Sequence, residues 1–192
     1  MARGERSPAR ADARRNRDRL LDAARAAFDD GRLPSIEALA REAGLGVGTV
    51  YRNFPTREAL VEAVYADQRA RLCARADELA ASRDPVVALR SWMDHYAEFV
   101  AAKRGIAAAR APAVSTGAVP SGAAKDALVA AVATLLTAGA RTGALRDDVP
   151  AADVVATLVG IFLAADDRAQ AGRQLDLLLD GLRAGPPGTR PE

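Results

Sequence analysis

The sequence is poor in the residues on which metal, redox and nucleophilic chemistry depend. Its 192 residues include one histidine, His95, and one cysteine, Cys73. A single cysteine excludes an internal disulfide framework and fits a reducing compartment. The two residues are too distant in sequence to suggest a metal site, and as a catalytic dyad they would lack an orienting partner and an oxyanion loop. We therefore expect a protein that is not an enzyme and has no catalytic residues, no metal and no cofactor.

Long apolar segments are also lacking. The long apolar runs without a charge, residues 127–140 and 154–165, fall short of the roughly 20 apolar residues that a membrane span needs. The arginine-rich N-terminus is not followed by an apolar core, so it does not have the pattern of a secretory signal. These features predict a cytoplasmic protein with no membrane partner.

Aromatic and β-branched residues are sparse, whereas alanine and leucine dominate, and this balance favours helices. Apolar residues recur at three- and four-residue spacing through most of the chain, as in Leu20, Ala24 and Phe28. No segment alternates convincingly as a strand, and the sequence has no internal repeat. The predicted fold is all-α, with about nine helices.

Positive charge is concentrated at the N-terminus. Residues 1–28 contain eight arginines and four acidic residues, whereas residues 61–192 contain 15 basic and 16 acidic groups. A basic end on a nearly neutral body is typical of a protein that meets phosphate, although a solvated tail explains the charge equally well. Residues 1–12 have no apolar period, so we predict that they form a disordered basic arm.

Residues 35–60 have the pattern of a helix-turn-helix. Ser35 is a good N-cap for a short helix, and Gly44 supplies the left-handed residue with which such a helix commonly ends. Leu39 and Val50 are placed to hold this helix against the next one. Two short helices joined by a tight turn form the motif whose second helix, the recognition helix, enters the major groove of DNA.

This stretch resembles the TetR family of bacterial repressors. The residues Ala43, Gly44 and Leu45, followed by GTVYRNFPTREALVEAV from Gly48 to Val64, are similar to the family signature almost word for word. Further on, the segments AVYADQRARL, KRGIA and GALRDDV are similar to the sensing domain of SbtR-like members. The resemblance implies a three-helix DNA-binding domain followed by a larger helical domain for ligand binding and dimerisation.

The patterns and the resemblance together divide the chain into four parts. After the arm at residues 1–12, we expect the helix-turn-helix domain at residues 13–60. Residues 61–184 form the expected regulatory, ligand-binding and dimerisation domain. Residues 185–192, GPPGTRPE, are predicted to be a disordered tail.

The resemblance also implies which residues contact DNA. Thr49 and Tyr51 would contact phosphates from the recognition helix, while Ser35 and Arg57 would flank the DNA backbone. The remaining residues lie where side chains or backbone approach the bases. The full predicted set is Ser35, Val47, Gly48, Thr49, Tyr51, Arg52, Asn53 and Arg57.

The recognition helix departs from the family pattern at its start. Gly46 stands where the family usually has a serine or threonine cap, and Val47 where it often has a basic or polar residue. With Gly48 following, the head of this helix is nearly bare. We therefore expect base reading to depend on Val47 against a thymine methyl group, on Arg52 and Asn53, and on DNA shape. The basic arm is a hypothetical further contact with phosphate or the minor groove.

One helix of the predicted body carries a cluster of aromatic residues. In a protein with few aromatics, this cluster suggests a ligand pocket. The alternative is that Trp92, Met93 and Tyr96 fill core volume. By resemblance, the pocket lies inside the body and is walled in part by this helix. The predicted ligand-binding residues are Trp92, His95, Tyr96 and Phe99.

The last two predicted helices are apolar over more than one face, so a neighbour within the same chain would not cover them fully. In the family, the corresponding helices form a four-helix bundle across a two-fold axis. The alternative is an ordinary monomer core. The predicted dimer-interface residues are Leu158, Phe162, Leu175, Leu178, Leu179 and Leu182.

These features predict a homodimeric transcriptional regulator that binds double-stranded DNA. The predicted function is a repressor that recognises a palindromic operator and responds to a small-molecule effector. The alternatives are an architectural DNA-binding protein or an activator without an effector. An enzyme would need acid, base and nucleophile residues clustered at helical spacing, and the sequence has no such cluster.

Overall fold

The computed structural model describes residues 8–30, 32, 34–82, 84–108, 120 and 122–185, which are helical almost throughout. These residues contain no strand, and they contain eight helices where about nine were predicted. The all-α prediction is confirmed. The helices are α1 (Pro8–Asp29), α2 (Ile36–Glu42), α3 (Val47–Asn53), α4 (Arg57–Ser82), α5 (Pro85–Ala108), α6 (Ala123–Thr142), α7 (Ala151–Ala164) and α8 (Arg168–Leu182).

Helix α1 begins earlier than the sequence pattern predicts. It starts at Pro8, so the predicted disordered arm is helical from Pro8 onwards. Proline is favoured in the first turn of a helix, and the alanines and arginines that follow have high helix propensity. These local preferences outweigh the lack of an apolar period. Residues 1–7, and residues 186–192 of the predicted tail, lie outside the described residues.

The described residues divide into two compact units, and the first comprises Met1–Asp67 with Arg104–Ala111. Helix α1 buries an apolar stripe that includes Leu20 and Ala24. The first turns of α4 belong to the same unit, because the rings of Phe28 and Tyr65 lie 6.4 Å apart and Arg25 Nη1 lies 3.4 Å from Asp67 Oδ2. This unit therefore extends into α4, beyond the predicted domain limit at residue 60.

The second unit comprises Gln68–Lys103 with Pro112–Glu192. Its core is built from α5–α8 and the later turns of α4. Trp92 is fully buried, and its indole Nε1 donates a hydrogen bond to the backbone oxygen of Leu72 at 2.9 Å. This bond fixes α5 against α4.

Helix α6 is the one helix among the described residues that is long and apolar enough to cross a membrane, with a mean hydropathy of 1.4. Its Leu128, Val132 and Leu135 are buried in the core of the second unit. In all, 33% of its most apolar stretch is buried inside the protein.

The segment after α6 is fastened to the end of α8. Gly143 ends α6 in the left-handed conformation, with φ of 70°. Leu145 and Arg183 then form an antiparallel bridge, and the amide of Arg146 donates to the oxygen of Leu182 at 3.0 Å. The chain enters α7 from this anchored position.

Candidate nucleic-acid interface

The helix-turn-helix consists of α2 and α3 and the tight turn between them. Ser35 caps α2, since its Oγ accepts a hydrogen bond from the amide of Ala38 at 3.2 Å. Gly44 has the predicted left-handed conformation, with φ of 64°. The amide of Leu45 then donates to the oxygen of Ala40 at 2.8 Å, which closes the turn. These local contacts fix how α3 leaves α2.

The buried side of the motif is the one that the sequence predicts. Leu39 and Ala40 of α2 and Val50 of α3 are buried, as is Phe54 at the end of α3. Ala40 is small enough for α3 to pack closely over α2. The opposite side of α3 is thereby left at the surface.

The exposed side of α3 carries two apolar side chains, Val47 and Tyr51, which are 38% and 46% exposed. They are four residues apart and therefore lie on one face of the helix. Gly46 is the N-cap of α3 and makes no side-chain cap. A Cβ placed on Gly46 or on Gly48 would meet no atom within 4 Å. The start of α3 is thus open around Val47.

The polar residues of α3 are bonded to the helix itself. Arg52 Nε donates to the oxygen of Gly48 at 3.0 Å, and Asn53 Nδ2 donates to the oxygen of Thr49 at 2.8 Å. Arg52 Nη2 also lies 3.5 Å from Thr49 Oγ1. Each side chain thus donates a hydrogen bond to the backbone of α3. That bond must break before the same donor can bind a group outside the helix.

Ser35 and Arg57 are brought together at the other side of the motif. Arg57 Nη2 donates to the oxygen of Pro34 at 3.4 Å, next to the Ser35 cap. Glu37 lies in the first turn of α2, and hydrogen bonds from its own backbone and from Ser35 lower the pKa of its carboxyl group. A negative charge thus lies beside the two residues that are predicted to flank DNA.

Two arginines of α1 belong to this surface, although they were not among the predicted site residues. The guanidinium carbon of Arg17 lies 4.8 Å from the centre of the Phe54 ring, in a cation–π contact at the end of α3. Arg19 Nη2 lies 2.8 Å from the place where a Cβ on Gly44 would be. Helical spacing places Arg19 on the side of α1 away from the apolar stripe, whereas Arg17, three residues before Leu20, lies in line with it. The contacts with Phe54 and Gly44 become visible only in the fold.

In the second unit, the aromatic residues of α5 are packed into the core. The rings of Trp92 and Tyr96 lie 5.6 Å apart, and Phe162 of α7 meets Tyr96 edge-on at 5.1 Å. Burial raises the pKa of Tyr96 to about 12, and the nearby Cys73 adds to this rise. Trp92 and Tyr96 are thus buried in the core of the second unit.

His95 and Phe99 are only partly buried. His95 Nδ1 lies 2.6 Å from the oxygen of Ser91, so this nitrogen carries the proton and donates. The Phe99 ring lies 6.3 Å from that of Tyr96. Of the four predicted ligand-binding residues, these two can be reached without opening the core.

Most of the residues predicted for the dimer interface are buried within the single chain. Leu158, Phe162, Leu175, Leu179 and Leu182 are buried within a single chain, where they form part of the core of the second unit. Their neighbours there include buried residues of α5 and α6. Leu178 is partly buried at the edge of the core. The apolar residues left at the surface of α7 and α8 are Leu163 and Leu177, which are 48% and 73% exposed.

A surface groove of about 390 Å³ lies at the end of α6 and the start of α7. Leu136 and Val149 contribute to its apolar floor, and Arg141 and Arg146 contribute positive charge. Arg146 is held by Asp148 through two contacts of 2.6 and 2.7 Å. This groove could not be expected from sequence patterns, because its walls come from a helix and a loop that meet only in the folded chain.

Comparison with protein families matches the chain in two segments. Residues 20–64 match the family described as bacterial regulatory proteins, tetR family. Residues 84–184 match the family described as transcriptional regulator SbtR-like, C-terminal domain. No curated protein sequence matches the chain. Both resemblances predicted from the sequence are confirmed.

Solved structures agree with the family matches. A TetR transcriptional regulator from Streptomyces coelicolor is 42% identical, with a TM-score of 0.70, over 88% of this chain and 99% of that one. A TetR transcription regulatory protein from Mycobacterium vanbaalenii is 35% identical, with a TM-score of 0.66, over 92% and 99%. A complex of SmeT with triclosan shares the fold at 20% identity, with a TM-score of 0.55, over 92% and 97%.

Proposed function

Because the chain belongs to the TetR family of bacterial regulatory proteins and carries an SbtR-like C-terminal domain, we propose that it is a ligand-responsive repressor. It binds a palindromic operator in the cytoplasm as a homodimer. The observation that carries the proposal is the exposed side of α3, where Val47 and Tyr51 face outwards on a helix whose other side is buried.

The DNA contacts are proposed for eight residues of the helix-turn-helix. Tyr51 and Thr49 offer hydroxyl groups to phosphates, and Arg52 and Asn53 have the donors that read guanine and adenine. The bonds of Arg52 and Asn53 to their own helix are exchanged for bonds to bases, so the exchange costs little. The proposed set remains Ser35, Val47, Gly48, Thr49, Tyr51, Arg52, Asn53 and Arg57.

The arginines of α1 extend this surface. Arg17 and Arg19 lie against the end of α3 and the turn before it, within the same compact unit. They add positive charge where a DNA strand passes the motif, as expected for phosphate contacts. They take over part of the role that the sequence assigned to a flexible arm.

The dimer interface is proposed on the outward faces of α7 and α8. Helical spacing places Ala156, Val159 and Leu163 of α7 on one such face, and Gln174 and Leu177 of α8 on the other. Gln174 Oε1 is buried without a hydrogen-bond partner among the described residues. A second copy would cover the apolar residues, and a two-fold axis would repeat the recognition helix at the spacing that a palindrome requires.

The effector is proposed to bind in the second unit. SmeT, which shares the fold, is the repressor of a multidrug efflux pump and forms a complex with triclosan. In this chain, His95 and Phe99 border the aromatic core and are partly accessible. An effector that favours one of two arrangements of the DNA-binding domains in the dimer would control operator affinity.

The experiment that tests the proposed function is selection of binding sites from random duplex DNA by the purified protein. We expect enrichment of an inverted repeat whose half-sites are about one helical turn, or a multiple of it, apart. A protein that enriches no sequence, or that binds all duplexes alike, would support the architectural alternative instead.

A further inference from the structure

We propose that Val47 recognises the 5-methyl group of a thymine in each operator half-site, and that the flanking glycines give it access to the base. The inference rests on the proposed function and adds the chemical group that is read. It concerns the residue by which this chain departs from the family pattern.

Among the described residues of the first unit, the large apolar side chains exposed to solvent are Val47 and Tyr51, both on α3. Tyr51 has a hydroxyl group that a phosphate oxygen can accept from. Val47 has no polar atom in its side chain, so only an apolar group can be its partner. The thymine methyl group is the apolar group that the edges of the base pairs present in the major groove.

The glycines on either side of Val47 are not needed by the fold. Gly46 has φ of −70°, which any residue adopts, and Gly48 lies within the helix. A Cβ at either position would meet nothing within 4 Å. Because glycine is less favourable than alanine in a helix, Gly48 makes the helix less stable without any gain in packing. The missing side chain of Gly48 leaves open space on the solvent side of α3, next to Val47.

The two ends of α3 can therefore contact different base pairs of the operator half-site. Val47 stands at the first residue of the helix, whereas the donors of Arg52 and Asn53 lie in its last turn. Residues about one and a half turns apart along a recognition helix lie opposite different base pairs of the groove. We expect the thymine read by Val47 to lie at a different position of the half-site from the bases read by Arg52 and Asn53.

The test uses the operator obtained by selection, with each thymine replaced in turn by deoxyuridine, which differs only by the missing methyl group. At one thymine in each half-site, we expect the replacement to weaken binding of the wild-type protein by about fourfold per methyl group, the value for burying one such group. For Val47→Ala, the same replacement should change binding by less than about twofold, because the methyl group has lost its partner.

The matched control is Val87→Ala, which removes the same two methyl groups from an exposed valine on α5. This variant should keep the full sensitivity to deoxyuridine. A second variant, Gly48→Ala, should unfold at a higher temperature but bind the operator about tenfold less tightly. The control for Gly48→Ala is Gly172→Ala in α8, where a Cβ also meets nothing within 4 Å and operator affinity should not change.

The outcomes separate this inference from the proposed function. If the wild-type protein enriches no sequence, the proposed function fails and the inference fails with it. If an operator is enriched but every thymine can be replaced without loss, or if Val47→Ala remains equally sensitive, the inference alone is overturned. A loss at one thymine that disappears in Val47→Ala supports both.

Discussion

At the scale of single residues, the recognition helix has few side chains that can read bases. Gly46 and Gly48 offer none, and Thr49 and Tyr51 are proposed to contact phosphates. The base-reading donors are those of Arg52 and Asn53, and in the free protein both are bonded to oxygens of their own helix. Because these bonds can be exchanged for bonds to bases, we expect Arg52 and Asn53 to carry most of the hydrogen-bonded specificity.

Replacing Arg52 and replacing Arg57 should have different effects on DNA binding. Arg52→Ala should cost about 1–3 kcal/mol on the operator and relax the preference at one base pair, since a bidentate base contact is lost. Arg57→Ala should weaken binding to all sequences alike and reduce the salt slope by about one, as expected for a phosphate contact. Titrations of operator and random duplexes at several salt concentrations measure both quantities. A uniform loss for Arg52→Ala would contradict its role in base reading.

Tyr96 should make the stability of the protein depend on pH in the alkaline range. Its pKa is raised from 10.0 to about 12 by burial, so the folded state holds the phenolic proton more tightly than the unfolded state. The resulting stability is complete below pH 10 and is lost as the pH rises from about 10 to 12. Urea denaturation between pH 9 and about 12 should show a steeper fall for the wild type than for Tyr96→Phe. Equal slopes would mean that Tyr96 ionises freely in the folded protein.

At the scale of helices and turns, the sequence predicts the motif well because its signals are local. Ser35, Gly44 and Gly143 are capping residues whose effect is confined to one turn, and each has the conformation or bond expected of a helix end. The predicted disorder of residues 8–12 was wrong, because the lack of an apolar period does not prevent a helix. The high helix propensity of alanine and arginine allows α1 to begin at Pro8.

Which helix faces are buried was harder to predict, because burial depends on parts of the chain that are distant in sequence. Helices α7 and α8 carry apolar residues on more than one face. This pattern does not show which face packs against the core and which is available to a second chain. The core takes Leu158 and Leu175, and it leaves Leu163 and Leu177 outside. In the same way, the aromatic spacing of α5 is compatible with a pocket or with a core, and it does not predict that Trp92 and Tyr96 are buried while His95 and Phe99 are only partly so.

Two glycines in helices should respond in opposite ways to substitution by alanine. At Gly139, a Cβ would lie less than 3.0 Å from three side-chain carbons of Leu145, which is itself buried. We expect Gly139→Ala to lower the free energy of unfolding by about 1–3 kcal/mol. Gly172→Ala, in open space, should raise it by about 0.5–1 kcal/mol. Chemical denaturation measures both values. A Gly139→Ala protein as stable as the wild type would mean that Leu145 can move aside.

At the scale of the whole molecule, the proposal requires two copies of the chain. One recognition helix reads a single half-site, and the specificity of a regulator in a genome requires more base pairs than that. The outward faces of α7 and α8 offer an apolar surface that the single chain does not cover. Assembly through this surface would join the second units of two chains.

The dimer interface is tested by placing a charge on α8. Leu177→Glu should convert the protein to a single chain in sedimentation experiments, because burying an unpaired carboxylate in an apolar interface is unfavourable. Val87→Glu, at a 49% exposed position on α5, is the matched control and should remain a dimer. A dimer that persists in Leu177→Glu would place the interface elsewhere.

The most direct test of the central claim is a comparison of affinities at physiological salt. Fluorescence anisotropy of the selected palindrome and of a random duplex of the same length would measure both dissociation constants. We predict binding to the palindrome that is tighter by about 10³-fold or more, with two chains on each duplex. Equal affinity for the two duplexes would contradict the assignment of this protein as an operator-binding repressor.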